Sequence, residues 1–196
     1  MLWKRRCSLI FSQDVGRFRD VVNLSRNFRD NILAATVNGS VVHTCPRSAA
    51  RWTLPLVGWI KGNFDGAVGG PHRMAAAGGV LRGGTGEWLF GFSRSLGSCS
   101  IIVAELWAVF DLLLHAWRLG FCKVELETDN SLVAEILGRS LALNSNALVS
   151  DLKAMIGRRW EVRITHILHE VNRVAKGLAS LARGKPRGNG IILFLL

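Results

Sequence analysis

Between Trp59 and Leu96 three strand-like runs follow one another, the last two joined by a glycine-rich turn, and this constrains the fold more than any other feature. In "WIKGNF", Ile60 and Phe64 alternate with Lys61 and Asn63, the two-residue period of a half-buried strand. "AAAGGVLRG" and "GEWLFGFSRSL" are joined by "GGTG", a turn that such residues make without strain. Three consecutive strands on short turns predict an antiparallel meander. The pattern then changes to a helical one. In "AELWAVFDLLLHAWRLG", Leu106, Val109, Leu113 and Trp117 recur at helical spacing, and Gly120 supplies the stop. A strand "KVELETD", a helix "NSLVAEILGRS" capped by Asn130, a helix "ALVSDLKAMIG", a strand "WEVRITHI" and a helix "NRVAKGLASLA" complete the series. The order βββαβααβα predicts an α/β fold, a mixed sheet covered by helices.

Three acids fall at the ends of these elements. Asp65 is expected to end the first strand, Glu105 to lie on the first turn of the long helix, and Asp129 to end the fourth strand. If the first and fourth strands are parallel neighbours, their carboxyl ends share the sheet edge where open α/β sheets bind ligands. Three carboxylates at one point repel and need a cation, and hard oxygen donors suit Mg²⁺ or Mn²⁺. Each acid also has a simpler reading. Asp65-Gly66 is a turn dipeptide, Glu105 a favourable charge near a helix N-terminus, and Asp129-Asn130 capping chemistry.

The chain of 196 residues is long enough for one well-buried domain with extensions. Its formal charge of +11 resides mainly in the flanks, with +6 on residues 1–57, +2 on 58–182 and +3 on 183–196. Such flanks are solvated extensions or arms for phosphate backbones. Residues 1–50 lack a sustained period beyond one short amphipathic stretch and read as a basic extension or linker, and residues 183–196 as a short basic and apolar tail. Cys7, Cys45, Cys99 and Cys122 show no CxxC spacing, so reduced packing thiols are expected. No run reaches the roughly 18 apolar residues of a membrane span. "MLWKRRCSLIF" is basic like a transit peptide, but Asp14 and Asp20 follow soon. No membrane partner is expected, and an intracellular setting, nucleus or cytoplasm rather than organelle, is the expectation.

"NFDGA", "AELWA", "ETDNSLV" and "THILHEVNRVAKGLASLA" resemble, in order, the motifs of the ribonuclease H type 1 family, in the short form of plant retroelement-derived, reverse-transcriptase-associated proteins. "RWTLPLVGWIKGNFDGA" resembles the lead-in of that form, and the resemblance covers residues 51–182. It implies a ribonuclease H-like, five-stranded mixed sheet, a three-strand antiparallel meander plus two parallel strands, flanked by helices. It also implies hydrolysis of the RNA strand of RNA–DNA hybrids with Mg²⁺, by a protein expected to be monomeric. Asp65, Glu105 and Asp129 match the metal-binding carboxylates, and His166 matches a mobile histidine that assists proton transfer or product release. Gly66, Ser100 and Asn130 match weaker substrate-contacting positions. Arg158, Arg159, Arg163 and Arg173 are candidates for hybrid affinity, although "GRRWEVR" also reads as the solvated face of an edge strand.

One position departs from the pattern. Where the family places a fourth carboxylate, four residues after Asn172, this chain has Lys176, and residues 171–196 contain no Asp or Glu. An ammonium about 5 Å from a divalent ion is repelled by roughly 7 kcal/mol at an effective dielectric near 20. Lys176 must point away, or a second ion is lost. One bound ion and strongly reduced hydrolysis is the expectation. A non-catalytic nucleic-acid-binding module, or a decayed retroelement fragment ending in "IILFLL", are the alternatives.

Overall fold

The computed structural model describes residues 51–70, 72–138, 147–186 and 190–193, the last four by their backbone alone. Along the chain run β1 (Ile60–Gly69), β2 (Met74–Arg82), β3 (Trp88–Ser98), α1 (Ile101–Arg118), β4 (Lys123–Thr128), α2 (Ser131–Gly138), α3 (Ala147–Ile156), β5 (Glu161–His166), a 3₁₀ turn (His169–Val171), α4 (Arg173–Ala182) and β6 (Gly190–Leu193). The sheet order is β5-β4-β1-β2-β3-β6. β1, β2 and β3 form the antiparallel meander, and β4 and β5 add in parallel. The five-stranded ribonuclease H-like sheet is therefore present, and a sixth strand extends it. Residues 190–193, expected as part of a tail, pair antiparallel with Gly91–Arg94 and use the backbone groups that β3 would otherwise leave unpaired at the edge.

Turn chemistry matches the sequence. Gly83 N–H closes the β2–β3 turn on Glu87 O at 2.9 Å. α1 stops at Gly120, where Gly120 N–H reaches Trp117 O and Phe121 N–H reaches Ala116 O, the backbone pattern of a left-handed C-terminal cap. Asn130 Oδ1 accepts from Val133 N–H at 3.2 Å and opens α2 as its cap.

α1, α2 and α3 cover one sheet face. Phe64, Leu81, Phe90, Leu106, Val109, Leu112, Leu113, Val124, Leu126 and Leu152 form that core. Trp117, expected among the buried positions of α1, is 36% exposed at the helix end. α4 covers the other face and buries Ala175, Leu178, Ala179 and Ala182. It lies directly on β2, since a Cβ on Gly78 would stand 2.1 Å from Ala179 N. Three small residues on α4 and a bare glycine beneath it permit this approach. Beside α4 the same face is polar and still buried: Lys61 pairs with Glu127 at 2.9 Å, Asn63 Nδ2 donates to Glu127, and Trp52 lies 4.5 Å above Arg82. The "RWTLPLVG" lead-in thus supplies a cover for charges that could not be left unpaired under it.

The described residues belong to one compact unit, Ala50–Leu196. The short helix considered within residues 1–50, Cys7, Cys45, and the "LNSN" connection lie outside the described residues. Cys99 is half-buried and Cys122 exposed, so neither is a core residue; both are reduced, in no disulfide. Among the described residues no helix is long and apolar enough to cross a membrane.

Candidate active site

Asp65 does not end its strand. β1 continues through Gly66 to Gly69 as the partner of β2, so the Asp-Gly pair is not a turn. The parallel register with β4 stops earlier, at Asn63 opposite Glu127. Asp65 therefore lies just beyond the last β1–β4 pair, at the carboxyl edge of the parallel part of the sheet, level with Asp129 after β4. Glu105 likewise sits one turn later than expected, because α1 begins at Ile101 with Ser100 as its cap; Ser100 Oγ accepts from Val103 N–H at 3.3 Å. Gly66 brings Glu105 close. A Cβ there would lie 2.7 Å from Glu105 N, so the bare glycine lets the second turn of α1 rest on β1.

Oxygen atoms of Asp65, Glu105 and Asp129 thus lie within 4.8 Å of one another. Burial raises the Asp65 carboxyl to about 7, Asp129 adding to the rise and Lys176, His169 and the Gly66 N–H opposing it. Burial raises Glu105 to about 8, with the charges of Asp65 and Asp129 contributing; the Gly66 N–H and the Asn130 side chain pull the other way. Glu105 Oε2 is buried with no hydrogen-bond partner. Converging oxygens of three acids, two of them raised chiefly by burial and one of those two with an unpartnered oxygen, fit a hard divalent cation such as Mg²⁺ or Mn²⁺.

Asp129 is held differently. Asn172 Nδ2 donates to Asp129 Oδ1 and to Phe64 O, both at 2.9 Å. Asp129 Oδ2 is hydrogen-bonded by His169 Nδ1, and His169 Nε2 faces Lys176 Nζ at 2.7 Å. His166, exposed at the end of β5, has Nε2 3.3 Å from Asp129 O. The Gly66 N–H and the Asn130 side chain both hydrogen-bond to Glu105, and Ser100 caps α1. Arg163 stacks 4.1 Å from the Trp59 ring and pairs with Glu161, and Arg158 lies 5.1 Å from Trp117; both are engaged near the opposite end of β5 from His166.

Sequence reasoning missed His169 and used Asn172 only as a landmark. His169, Asn172 and Lys176 stand at i, i+3 and i+7, one face of a helical stretch entering α4, and that spacing was the available signal.

A family model described as reverse transcriptase-like matches residues 63–182. The chain belongs to this family, which is ribonuclease H-like in fold. An Arabidopsis thaliana protein whose name assigns it to the ribonuclease H proteins is 39% identical over 185 residues, 92% of this chain and 30% of that protein, so the chain spans under a third of this relative's length. Among solved structures, ribonuclease H1 from Halobacterium salinarum is 28% identical with a TM-score of 0.55, covering 63% of this chain and 96% of that one. A ribonuclease H1 isolated from compost is 22% identical with a TM-score of 0.59, covering 66% of this chain and 98% of that one, a likeness of fold. The same compost enzyme has been solved with an RNA/DNA hybrid.

The raised carboxyls of this ribonuclease H-like site carry a stability consequence. Folded-state values of about 7 and 8 exceed the ordinary 3.8 and 4.5. The contribution of these groups is therefore full below about pH 4 and is lost as pH rises through 7 to 8. Thermal melts in EDTA should show wild type losing stability relative to Asp65→Asn between pH 5 and pH 8, and Mg²⁺ should recover the difference at pH 8 but not at pH 5. A gap that widens the other way would contradict the burial account.

Proposed function

We propose that this domain hydrolyses the RNA strand of RNA–DNA hybrids in a divalent-metal-dependent reaction, more slowly than it would with a fourth carboxylate in the place of Lys176. The observation that carries the reading is the convergence of Asp65, Glu105 and Asp129 at the sheet edge of a ribonuclease H-like fold. The chemistry a bound cation supplies at such a site is activation of water and stabilisation of charge on the phosphoryl oxygens. Asp65 and Glu105 would hold it, with Asp129 contributing whatever acceptor capacity Asn172 and His169 leave. Gly66 and Asn130 keep Glu105 aimed inward. His166, exposed beside Asp129, would assist release of the product. Selectivity for RNA would come from 2′-hydroxyl contacts across a wide, shallow groove, which reads sugar and shape.

Lys176 also favours a second reading, a module that binds hybrids without cleaving them. Assay of a labelled RNA–DNA hybrid in Mg²⁺ and in Mn²⁺ separates the two. Wild type should cleave slowly and Lys176→Asp at least tenfold faster, since the exchange removes a repelling charge and adds a ligand. Equal, brisk turnover in both proteins would refute the impairment; no turnover in either would favour the binding module.

A further inference from the structure

The geometry points to Lys176 as a built-in cation of the site, standing where a second divalent ion would otherwise bind and contacting the substrate phosphate directly. This rests on the reading of the site as one that acts on a nucleic-acid phosphodiester.

The inference starts from the accounting of Asp129. One oxygen accepts from Asn172 and the other from His169, so both are engaged by the protein. The proton placement that satisfies both contacts of the imidazole puts hydrogen on Nδ1, donated to Asp129, and leaves Nε2 to accept from the Lys176 ammonium. A positive charge is thereby passed through a neutral ring to one carboxylate of the three. Asp65 feels Lys176 and His169 only through space, without a direct contact of this kind, and Glu105 Oε2 has no hydrogen-bond partner. The cluster is lopsided: Glu105 Oε2 is left unpartnered for a divalent ion, while both Asp129 oxygens are already hydrogen-bonded. A second ion there would meet the ammonium at short range, with a repulsion of several kcal/mol.

Lys176 is also placed to act on what binds. It closes the first turn of α4, Lys176 N–H reaching Asn172 O at 3.1 Å. Helical side chains lean toward the helix N-terminus, which directs this one over Asn172 and Asp129. It is exposed, its stem has four carbons, and its ammonium meets the Nε2 side of His169. Exchanging that contact for a phosphate oxygen trades a neutral acceptor for an anionic one, a stronger charge-assisted bond. In the reaction the water oxygen forms the new bond to phosphorus and gives its proton to solvent, and the bond from phosphorus to the leaving 3′ oxygen breaks. The ammonium donates a hydrogen bond to that oxygen as its charge develops, and solvent supplies the proton it keeps. His169 is then a positioning residue, holding Lys176 over the site before substrate arrives.

The test uses the full chain as wild type, Lys176→Met, Lys176→Arg and Lys176→Asp; the position is exposed, and circular dichroism confirms folding. Calorimetric titration with Mn²⁺ should give one ion for wild type, one ion bound several-fold more tightly for Lys176→Met, and two for Lys176→Asp. Single-turnover cleavage in Mn²⁺ should fall at least tenfold in Lys176→Met and stay within about threefold in Lys176→Arg. Tighter metal with slower chemistry is the signature, because a merely obstructive lysine predicts tighter metal with equal or faster chemistry, and that result overturns the inference. Two ions in wild type also overturn it. If wild type cleaves nothing, the hydrolytic reading fails on its own. The role of Lys176 is then decided by anisotropy of a labelled hybrid in Ca²⁺: a fivefold weaker complex for Lys176→Met, rescued by Lys176→Arg, supports it, and unchanged binding sinks it.

Discussion

Asp65→Asn should reduce single-turnover cleavage of an RNA–DNA hybrid by about three orders of magnitude, while making the metal-free protein more stable at pH 8. The two effects share one origin. Asp65 is a buried carboxylate beside Glu105 and Asp129, and its ionised form is costly in the absence of a cation. Asparagine keeps the shape, removes the charge and so relieves the repulsion, but it donates where a cation needs an acceptor. Loss of a group that organises transition-state charge costs about two to three powers of ten in comparable cases, and loss of a ligand removes the cation as well. Cleavage within tenfold of wild type would show that Asp65 is not part of the chemistry. A melting temperature lowered at pH 8 would show that the acid is held by partners rather than strained by neighbours.

The largest effect on folding is expected at Gly78. Any side chain there meets the α4 backbone, with Ala179 N at 2.1 Å and the Leu178 carbonyl carbon at 2.6 Å from the first carbon added. No rotamer relieves a clash with main chain, so α4 must lift from β2 and expose part of the surface that Ala175, Leu178 and Ala179 bury. Gly78→Ala should cost about 3 kcal/mol or more in urea unfolding, at the upper end for overpacking. Gly138→Ala, where nothing lies within 4 Å, is the control and should be neutral or mildly stabilising. Because α4 begins with the residues that hold Asp129, Gly78→Ala should also weaken Mn²⁺ binding in whatever fraction stays folded. A variant as stable as wild type would mean that the helix does not press on the strand.

Most of the fold was legible because its signals are local. Alternation of Ile60 and Phe64 with Lys61 and Asn63, the "GGTG" turn, the apolar spacing of α1 and the Asn130 cap each depend on neighbours in sequence, and each element forms where read, although β1 buries Lys61 and Asn63 as well and is not half-buried, and Trp117 stays exposed. The limits of elements were less legible. β1 runs past Asp65 because β2 offers a partner there, a fact about register that no window around residue 65 contains. α1 begins at Ile101 because Ser100 caps it, although two β-branched isoleucines and a valine precede Ala104 and suggest an extended chain. β6 was read as a tail because four residues without a turn signal give no hint that β3 has a free edge. In the site, the meeting of three acids followed from parallel β1 and β4, which the order of elements implied. The grip of His169 and Asn172 on Asp129 did not, since it depends on how α4 enters, and Lys176 was legible as a misfit but not as a partner of His169.

The register of the sheet has a further consequence for how the protein comes into being. Asp65, Glu105, Asp129 and Asn172 are spread over more than a hundred residues, and β1 and β4 can pair only after the intervening hairpins and crossover helix are made. Contacts so distant in sequence form late and slowly. Capture of Mn²⁺ during refolding would therefore time the final docking of α4 rather than the first collapse. A ribosome-bound chain halted before Asn172 would present all three acids with nothing to orient the last of them.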